Sequence, residues 1–403
     1  MRERDFRLLF LGRTVSMAGN AIAPVGLAFA ILEVTGKTAD LGYVLAARAL
    51  PMVVFILVGG IWADRLPRHL VVVGSNVVSA GTQATVAALL LTGHARFWHL
   101  LMLAAVNGAS SAFFFPASTG LVPQTVSLAM LQRANAALRL SLNATTIGSA
   151  ALGGFLVAAT SPGWAIAFDA ATYLASALLF ARMRVGTAER LAGNNFVGEL
   201  REGWREFRAR TWLWAIVLQF GVVNAVANGS FNVIGPAIAR EHLNGASSWG
   251  LIVAAEGAGL ILGGLFVLRR PARRMLLAAT IGVFPLGLPL VLLGLTAPTP
   301  VIAAGALVAG VGIEVFGVNW DTTMQQEIPQ DVLSRVSSWD ALGSFVLMPI
   351  GLAAMGPLAS LLGNRETLWL SASLVVAATA PVLLSRDVRT LERRTSLPQD
   401  VAA

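Results

Sequence analysis

Long apolar segments alternate with short polar ones along almost the whole chain. A helix needs about 20 mostly apolar residues to cross a bilayer, and twelve segments reach that length. They span residues 7–32, 39–62, 69–92, 97–120, 135–160, 163–182, 211–238, 246–268, 274–297, 300–325, 335–362 and 366–385. The pattern predicts an all-α membrane protein with twelve transmembrane helices.

A glycine-rich phrase occurs at corresponding points of the two halves of the chain. The phrase GGIWADRLP, which begins at Gly59, returns as GGLFVLRRP, which begins at Gly263. Internal repeats of hydrophobic bundles are typical of secondary transporters. The repeat therefore predicts two pseudo-symmetric six-helix bundles.

The longest polar stretch, 184–210, separates the two halves. Its acidic and basic residues alternate at intervals of three or four, as on a solvated or interfacial helix. We predict a first bundle over 1–183, a partly helical linker over 184–210, a second bundle over 211–386 and a tail over 387–403.

Composition agrees with this architecture and excludes several chemistries. The 403 residues are 56% hydrophobic and only 12% charged, whereas a soluble protein carries roughly 25% charge. The chain has no cysteine, which rules out disulfides, thiolate metal sites and cysteine nucleophiles. The four histidines are scattered over loops, so we expect no metal site and no cofactor.

The distribution of positive charge predicts the orientation in the membrane. Most of the 29 lysine and arginine residues fall in segments that lie on the same side as the N-terminus. Positively charged loops remain in the cytoplasm, so both termini are predicted to be cytoplasmic. The net charge of +8 then indicates membrane topology and not nucleic-acid binding.

The loop after the second predicted span carries a recognisable signature. Gly60, Asp64, Arg65 and Arg68 match Gly-x-x-x-Asp-Arg-x-x-Arg, and with twelve spans in two halves the chain resembles the major facilitator superfamily. Longer matches, such as Phe168-Asp-Ala and the segment from Trp320 to Asp340, are similar to the drug/proton antiporter branch. That branch includes macrolide efflux proteins, Tap-like multidrug pumps and the enterobactin exporter.

The resemblance implies a transporter of the bacterial inner membrane and not an enzyme. It implies export of a hydrophobic drug, antibiotic or metabolite by alternating access, in exchange for protons. Because the internal duplication supplies a full pathway within one chain, we expect a monomer. Two departures keep uptake or uniport of a small metabolite open: Asn20 follows Gly19 where branch members often have an acid, and Ser149-Ala150 replaces a Gly-Pro pair. A membrane enzyme or scaffold would need a convergent catalytic set, which the sequence lacks.

The resemblance also suggests a gate between the halves. It would comprise the loop signature, the arginines of the second copy and an acid near the start of the eleventh span. These residues are Gly60, Asp64, Arg65, Arg68, Arg269, Arg273 and Asp340. Alternatively, the arginines only hold these loops in the cytoplasm, and Asp340 only caps a helix.

Ionisable side chains at membrane depth are costly and usually functional. Glu314 and Asp321 share one face of the tenth span, and Glu256 lies at the middle of the eighth. We predict these three as candidates for proton coupling, with interhelical hydrogen bonding as the alternative. Asp169 in the sixth span is predicted to be structural.

Neutral polar side chains predict a substrate cavity between the halves. They recur on single faces of the first, fourth and seventh spans, and the aromatic Trp320 of the tenth span could pack against an apolar substrate. The candidates are Ser16, Asn20, Asn107, Ser111, Asn224, Asn228, Asn232 and Trp320. Arg48, deep in the second span, requires an anion, for which we consider Asp169, Glu33, Glu314 or the substrate. Interhelical hydrogen bonds are again the alternative.

Overall fold

The computed structural model describes residues 3–65, 67–126, 151–184 and 196–393, with six isolated residues (130, 134, 137, 138, 141 and 145) in the fifth predicted span. Within these residues every regular element is a helix and there is no strand. Eleven of the described helical stretches are long and apolar enough to cross a membrane. The fifth predicted span lies largely outside the described residues.

The described helices of the N-terminal half follow the predicted spans. They are α1 (Glu3–Thr35), α2 (Thr38–Arg65), α3 (Arg68–Leu91), α4 (Phe97–Thr125), α5 (151–159) and α6 (Pro162–Ala181). The linker then forms a single described helix, α7 (Phe196–Ala209).

The C-terminal half contains several interrupted spans. Its helices are α8 (Thr211–Val223), α9 (Gly229–His242), α10 (Gly245–Arg269), α11 (Met275–Val283), α12 (Gly287–Gly294), α13 (Thr299–Glu327), α14 (Gln330–Phe345), α15 (Met348–Leu362), α16 (Asn364–Thr379) and the short α17 (Arg386–Thr390). A π-helical turn, Asn224–Asn228, joins α8 to α9, and a 3-10 turn, Phe284–Leu286, joins α11 to α12. Each pair forms one membrane-crossing stretch.

Helix ends coincide with residues that terminate or start helices. Gly36, Gly93 and Gly363 follow α1, α3 and α15 with φ angles of 69°, 72° and 100°, a left-handed backbone that favours glycine. Proline occupies the first turn of α6 and of α13, where its missing N–H costs nothing.

Because the spans alternate in direction, their connections fall at two ends of the molecule. We call the end with Pro67 and residues 196–210 and 270–274 the linker end, and the end with Gly36, Gly93 and Gly363 the distal end. At the linker end, α7 packs on α14 through an ion pair between Glu202 and Arg335.

The closest described contacts between the two halves lie toward the distal end. There α2 packs against α15: a Cβ added at Gly356 would overlap the backbone of Ala39, and one added at Gly42 would overlap the carbonyl of Leu352. The guanidinium of Arg240 on α9 also donates a hydrogen bond to the carbonyl of Leu32 on α1. The described halves are thus joined at their distal ends.

Candidate functional site

Polar side chains from five helices meet inside the N-terminal half. This N-terminal polar cluster comprises Ser16 and Asn20 on α1, Arg48 on α2, Thr82 and Gln83 on α3, Asn107 on α4, and Asp169 and Tyr173 on α6. Four of the predicted cavity residues, Ser16, Asn20, Arg48 and Asn107, therefore belong to one cluster. Ser111, one turn beyond Asn107, donates a hydrogen bond to the Asn107 carbonyl at 2.9 Å.

Asp169 is the acidic member of the cluster and is completely buried. Gln83 Nε2 donates a hydrogen bond to its Oδ2 at 2.5 Å. Its other oxygen, Oδ1, is buried and has no hydrogen-bond partner among the described residues. A carboxylate buried with an unsatisfied oxygen costs considerable free energy.

A chain of hydrogen bonds connects α6 to α1. The hydroxyl of Tyr173, one helical turn from Asp169, donates to Asn20 Oδ1 at 2.6 Å. Asn20 Nδ2 in turn donates to the Ser16 carbonyl at 3.1 Å. Asn107 lies within reach of the Tyr173 hydroxyl and hydrogen-bonds Thr82 at 3.5 Å. Interhelical hydrogen bonding therefore accounts for much of the predicted lining.

Arg48 supplies the positive charge of the cluster. Its side chain is partly buried, and it interacts electrostatically with Asp169 and Tyr173. It makes no direct hydrogen bond or ion pair in the described part of the chain. Of the anions considered for Arg48, the structure favours Asp169.

A separate cavity of about 160 Å³ lies between α8, α13 and α14 in the C-terminal half. Its aromatic walls are Phe220, Phe316 and Trp320, and Asp340 and Ser344 supply polar groups. The rings of Phe220 and Phe316 stack at 4.5 Å between centroids, and those of Phe316 and Trp320 at 6.0 Å. We call this space, lined also by Ile216, Val217, Ala341 and Phe345, the aromatic cavity.

Asp340 is held in the wall of this cavity by two donors. Trp320 Nε1 donates to its Oδ2 at 3.2 Å, and Ser344 Oγ to its Oδ1 at 3.3 Å. The alternative that Asp340 caps a helix is wrong, because α14 starts at Gln330 and Asp340 lies almost three turns into it. It therefore cannot cap this helix.

The predicted asparagine stripe coincides with the π-helical turn. Asn228 donates to Asn224 Oδ1 at 2.9 Å, and Asn224 donates to the Ser344 carbonyl at 3.0 Å. Asn232 donates to the backbone carbonyl of Asn228 at 3.0 Å. The stripe thus runs from the centre of the α8–α9 stretch to the helix that carries Asp340. π-Helical turns are frequent at functional sites.

The predicted coupling acids of the C-terminal half lie outside the aromatic cavity. Glu314 on α13 packs over Gly263 and Gly264 of α10, the second copy of the repeated phrase, on a face of α13 away from Phe316. Glu256 on α10 is half-buried, and its carbonyl contacts Gly310 of α13. Glu314 and Glu256 thus lie where α10 packs against α13. Asp321 also lies on α13, but its side chain is exposed.

The predicted gate residues are only partly described. Gly60, Asp64 and Arg65 fall in the last turns of α2, where side chains lie outside the described residues. Arg68 is the first residue of α3 and Arg269 the last of α10. The Arg273 guanidinium pairs with Glu392 at 3.2 Å, so in this conformation it joins two segments of the same half.

Sequence reasoning missed Arg240, which connects the halves at the distal end. Its guanidinium donates to the Leu32 carbonyl in the last turn of α1 and interacts electrostatically with Glu33. The carbonyls of a final helical turn carry partial negative charge, which an arginine stabilises. The only sequence signal was a basic residue in the otherwise arginine-poor segment between the seventh and eighth predicted spans.

These features define a class of protein: a membrane-embedded helical protein with polar and charged side chains clustered inside each of its two halves. The described residues contain no group of three or more side chains able to hold a metal ion. The family model "Major Facilitator Superfamily" matches residues 9–352. The chain belongs to this superfamily; it is an integral membrane transporter of small molecules and not an enzyme.

Three curated relatives span nearly the whole chain. "Macrolide efflux protein A" of Streptococcus pyogenes is 23% identical over 396 residues, covering 96% of this chain and 97% of its own. "Multidrug efflux pump Tap" of Mycolicibacterium fortuitum is 26% identical, covering 94% and 95%. "Enterobactin exporter EntS" of Salmonella typhimurium is 25% identical, covering 88% and 87%. The resemblance to this group of exporters is confirmed.

Solved structures confirm the fold. The nucleoside transporter NupG superposes with a TM-score of 0.76 at 13% identity, covering 96% of this chain and 99% of its own. A bacterial homologue of the lysosomal transporter Spinster, described as inward-facing and unoccupied, superposes with a TM-score of 0.73 at 15% identity, covering 98% and 99%. The predicted all-α transporter fold is therefore correct.

Proposed function

We propose that this protein exports a hydrophobic compound with a cationic group in exchange for protons. The observation that supports this proposal is the aromatic cavity, in which Phe220, Phe316 and Trp320 surround the Asp340 carboxyl. Aromatic faces and a carboxylate both attract organic cations. At about 160 Å³, the cavity accommodates an amine headgroup while the apolar body of the substrate lies between the halves.

The protein works as a monomer in the bacterial inner membrane, with both termini and the linker end in the cytoplasm. The bundles 1–183 and 211–386 rock about the substrate site, and the linker 184–210 holds them together. In that orientation the distal contacts through Arg240 and Gly356 correspond to a state closed to the outside. Alternating access then requires these contacts to break.

Proton coupling in the C-terminal half is assigned to Glu314, with Glu256 as its alternate and Asp321 as a minor candidate. The packing of Glu314 over Gly263 and Gly264 supports this assignment, because movement of α10 against α13 would change its surroundings. Asn224, Asn228 and Asn232 connect the substrate region to α14. Gly60, Asp64, Arg65, Arg68, Arg269 and Arg273 are assigned to the cytoplasmic gate.

The experiment is drug accumulation in a pump-deficient bacterial host that expresses this chain. The panel contains ethidium, a macrolide and an uncharged apolar dye. Wild type, Glu314→Gln and Glu241→Gln are compared at equal expression, with and without a protonophore. Glu241 is an exposed carboxylate at the distal end and serves as the matched control.

We expect the wild type and the Glu241 variant to exclude the cationic compounds, and both Glu314→Gln and the protonophore to abolish exclusion. Exclusion that survives the protonophore would disprove proton exchange. If the protonophore abolishes exclusion but Glu314→Gln does not, an acid other than Glu314 couples transport to protons. Failure to exclude any compound would favour uptake or uniport of a small metabolite.

A further inference from the structure

We propose that Asp169 is a proton-binding site in the N-terminal half, and that its charge controls Arg48. This inference rests on the proposed exchange of substrate for protons and names a residue that carries the proton. It does not require Glu314 or Glu256 to be a coupling residue.

The two carboxyl oxygens of Asp169 have different environments. Oδ2 accepts the hydrogen bond from Gln83 at 2.5 Å, whereas Oδ1 is buried without a partner among the described residues. Oδ1 lies against Gly19 of α1, where a Cβ would overlap both Oδ1 and Thr172 Oγ1. A proton on Oδ1 removes the buried charge without disturbing the bond from Gln83.

The groups that face Asp169 give its two protonation states different consequences. From α6 comes Tyr173, from α3 the neutral Gln83, and from α1 Gly19 and Asn20. Arg48 of α2 is the cation that acts on Asp169. The unprotonated carboxylate therefore balances a positive charge that would otherwise be expensive inside the membrane.

Protonation of Asp169 removes the negative charge that acts on Arg48. Arg48 lies on α2, the same helix that meets α15 of the other half through Gly42. A change in the electrostatic energy of α2 therefore affects the helix that forms the contact between the halves. A ligand shifts a conformational equilibrium only if it interacts differently with the two conformations. The proton is the ligand in this case.

A hydrogen-bonded chain of side chains lies next to Asp169 but is not joined to it by a hydrogen bond among the described residues. Tyr173 lies one turn away on α6 and donates to Asn20, which is only partly buried. Asn20 continues to Ser16. Asp169 itself is sealed from solvent, so proton exchange requires a small separation of α1 from α6 that admits water to Oδ1 beside Gly19.

The first test is independent of any substrate. Purified protein in lipid is moved from alkaline to acidic buffer, and the carbonyl stretch of newly protonated carboxyl groups is recorded by infrared difference spectroscopy. Asp169→Asn, which keeps an acceptor for Gln83, should lose one band of a buried carboxyl. Glu241→Gln should lose only signal from a solvent-exposed carboxyl. A spectrum of Asp169→Asn identical to that of the wild type overturns the proposal.

The second test separates proton coupling from substrate binding in proteoliposomes, with ethidium as the probe. A pH gradient of one unit drives about tenfold accumulation of a substrate exchanged for one proton. Asp169→Asn should lose this accumulation and keep ethidium counterflow within about twofold of the wild type. Retained accumulation in Asp169→Asn also overturns the proposal.

A double variant excludes a purely structural ion pair. If Asp169 only neutralises Arg48, then Asp169→Asn combined with Arg48→Gln restores accumulation, which contradicts the proposal. If Asp169 carries the proton, accumulation remains lost in the double variant. A wild type that fails to transport ethidium, yet shows the Asp169 infrared band, would count against the proposed function and in favour of the proton site.

Discussion

At the residue scale, Gly19 determines how closely α1 approaches α6. Any side chain there would overlap Asp169 and Thr172, both buried. Overpacking a filled interior typically costs about 1–3 kcal/mol. We expect Gly19→Ala to lower the melting temperature of the purified protein and the intensity of the Asp169 infrared band.

Gly81→Ala is the matched control for this variant. Gly81 lies inside α3, and a Cβ there meets no atom within 4 Å. Alanine is favoured over glycine in a helix by about 1 kcal/mol, so this variant should melt at or above the wild-type temperature. Equal melting temperatures of the two variants would show that α1 can move away from α6 without loss of stability.

Asp340 gives a second prediction at this scale, about charge selectivity. Asp340→Asn keeps the size of the side chain and removes its negative charge. We expect the half-saturation constant for ethidium transport to rise about tenfold, the change produced by about 1.4 kcal/mol. The uncharged ring compound phenanthridine should be affected less than about twofold, because it does not depend on the carboxylate.

The hydrogen bond from Trp320 provides an internal comparison. Trp320→Phe keeps an aromatic ring next to Phe316 but removes the donor to Asp340. Its effect on ethidium should therefore be smaller than that of Asp340→Asn. An equal loss of ethidium and phenanthridine transport in Asp340→Asn would mean that the carboxyl supports the helix and does not bind the cation.

At the scale of elements, the sequence predicted where residues lie along a helix better than which neighbouring helix their side chains contact. Asn224, Asn228 and Asn232 were predicted as one stripe from their spacing, but the spacing does not reveal that Asn224 donates to the Ser344 carbonyl of α14. Asp169 was predicted to be structural from its place in the sixth span, and the sequence does not reveal that only one of its oxygens finds a donor among the described residues. Tertiary packing determines both features.

Arg240 allows a test of the distal contact between α9 and α1. Arg240→Gln removes a charge-assisted hydrogen bond, typically worth about 1.5–3 kcal/mol, and its electrostatic interaction with Glu33. We expect the population of distally open molecules to rise about tenfold. Because the chain has no cysteine, spin labels at Lys37→Cys and Glu241→Cys report this opening directly by double electron–electron resonance.

Arg365→Gln is the matched control for Arg240→Gln. Arg365 also lies at the distal end, but its guanidinium sits 4.1 Å over the ring of Trp369 in the same half. Its removal should leave the distance distribution unchanged. A distribution that is unchanged in Arg240→Gln as well would show that helix packing alone closes the distal end.

At the scale of the whole molecule, the apolar pattern and the repeated phrase were sufficient to predict the fold. The hydrophobic effect and the length of a membrane crossing dictate the spans. Which ends of the two halves touch was not predictable, because both states of an alternating-access cycle use the same spans. Small residues such as Gly42 and Gly356 permit close contact, but the sequence does not reveal which residue of the other half each one meets.

Gly356 therefore tests the cycle as a whole. A Cβ at this position would overlap the Ala39 backbone and lie 2.9 Å from its nitrogen, and a helix backbone cannot yield as a flexible side chain can. We expect Gly356→Ala to hold the distal ends apart, which the spin-label distances would record as a longer population. Gly74→Ala, where no atom lies within 4 Å of the added Cβ, should have no such effect.

Transport should separate this defect from the loss of a proton site. Counterflow requires the halves to alternate but requires no net proton movement, so Gly356→Ala should reduce counterflow and pH-driven accumulation of ethidium by the same factor. Asp169→Asn should reduce accumulation alone. If Gly356→Ala leaves counterflow intact, then distal closure between α2 and α15 is not a step of the transport cycle.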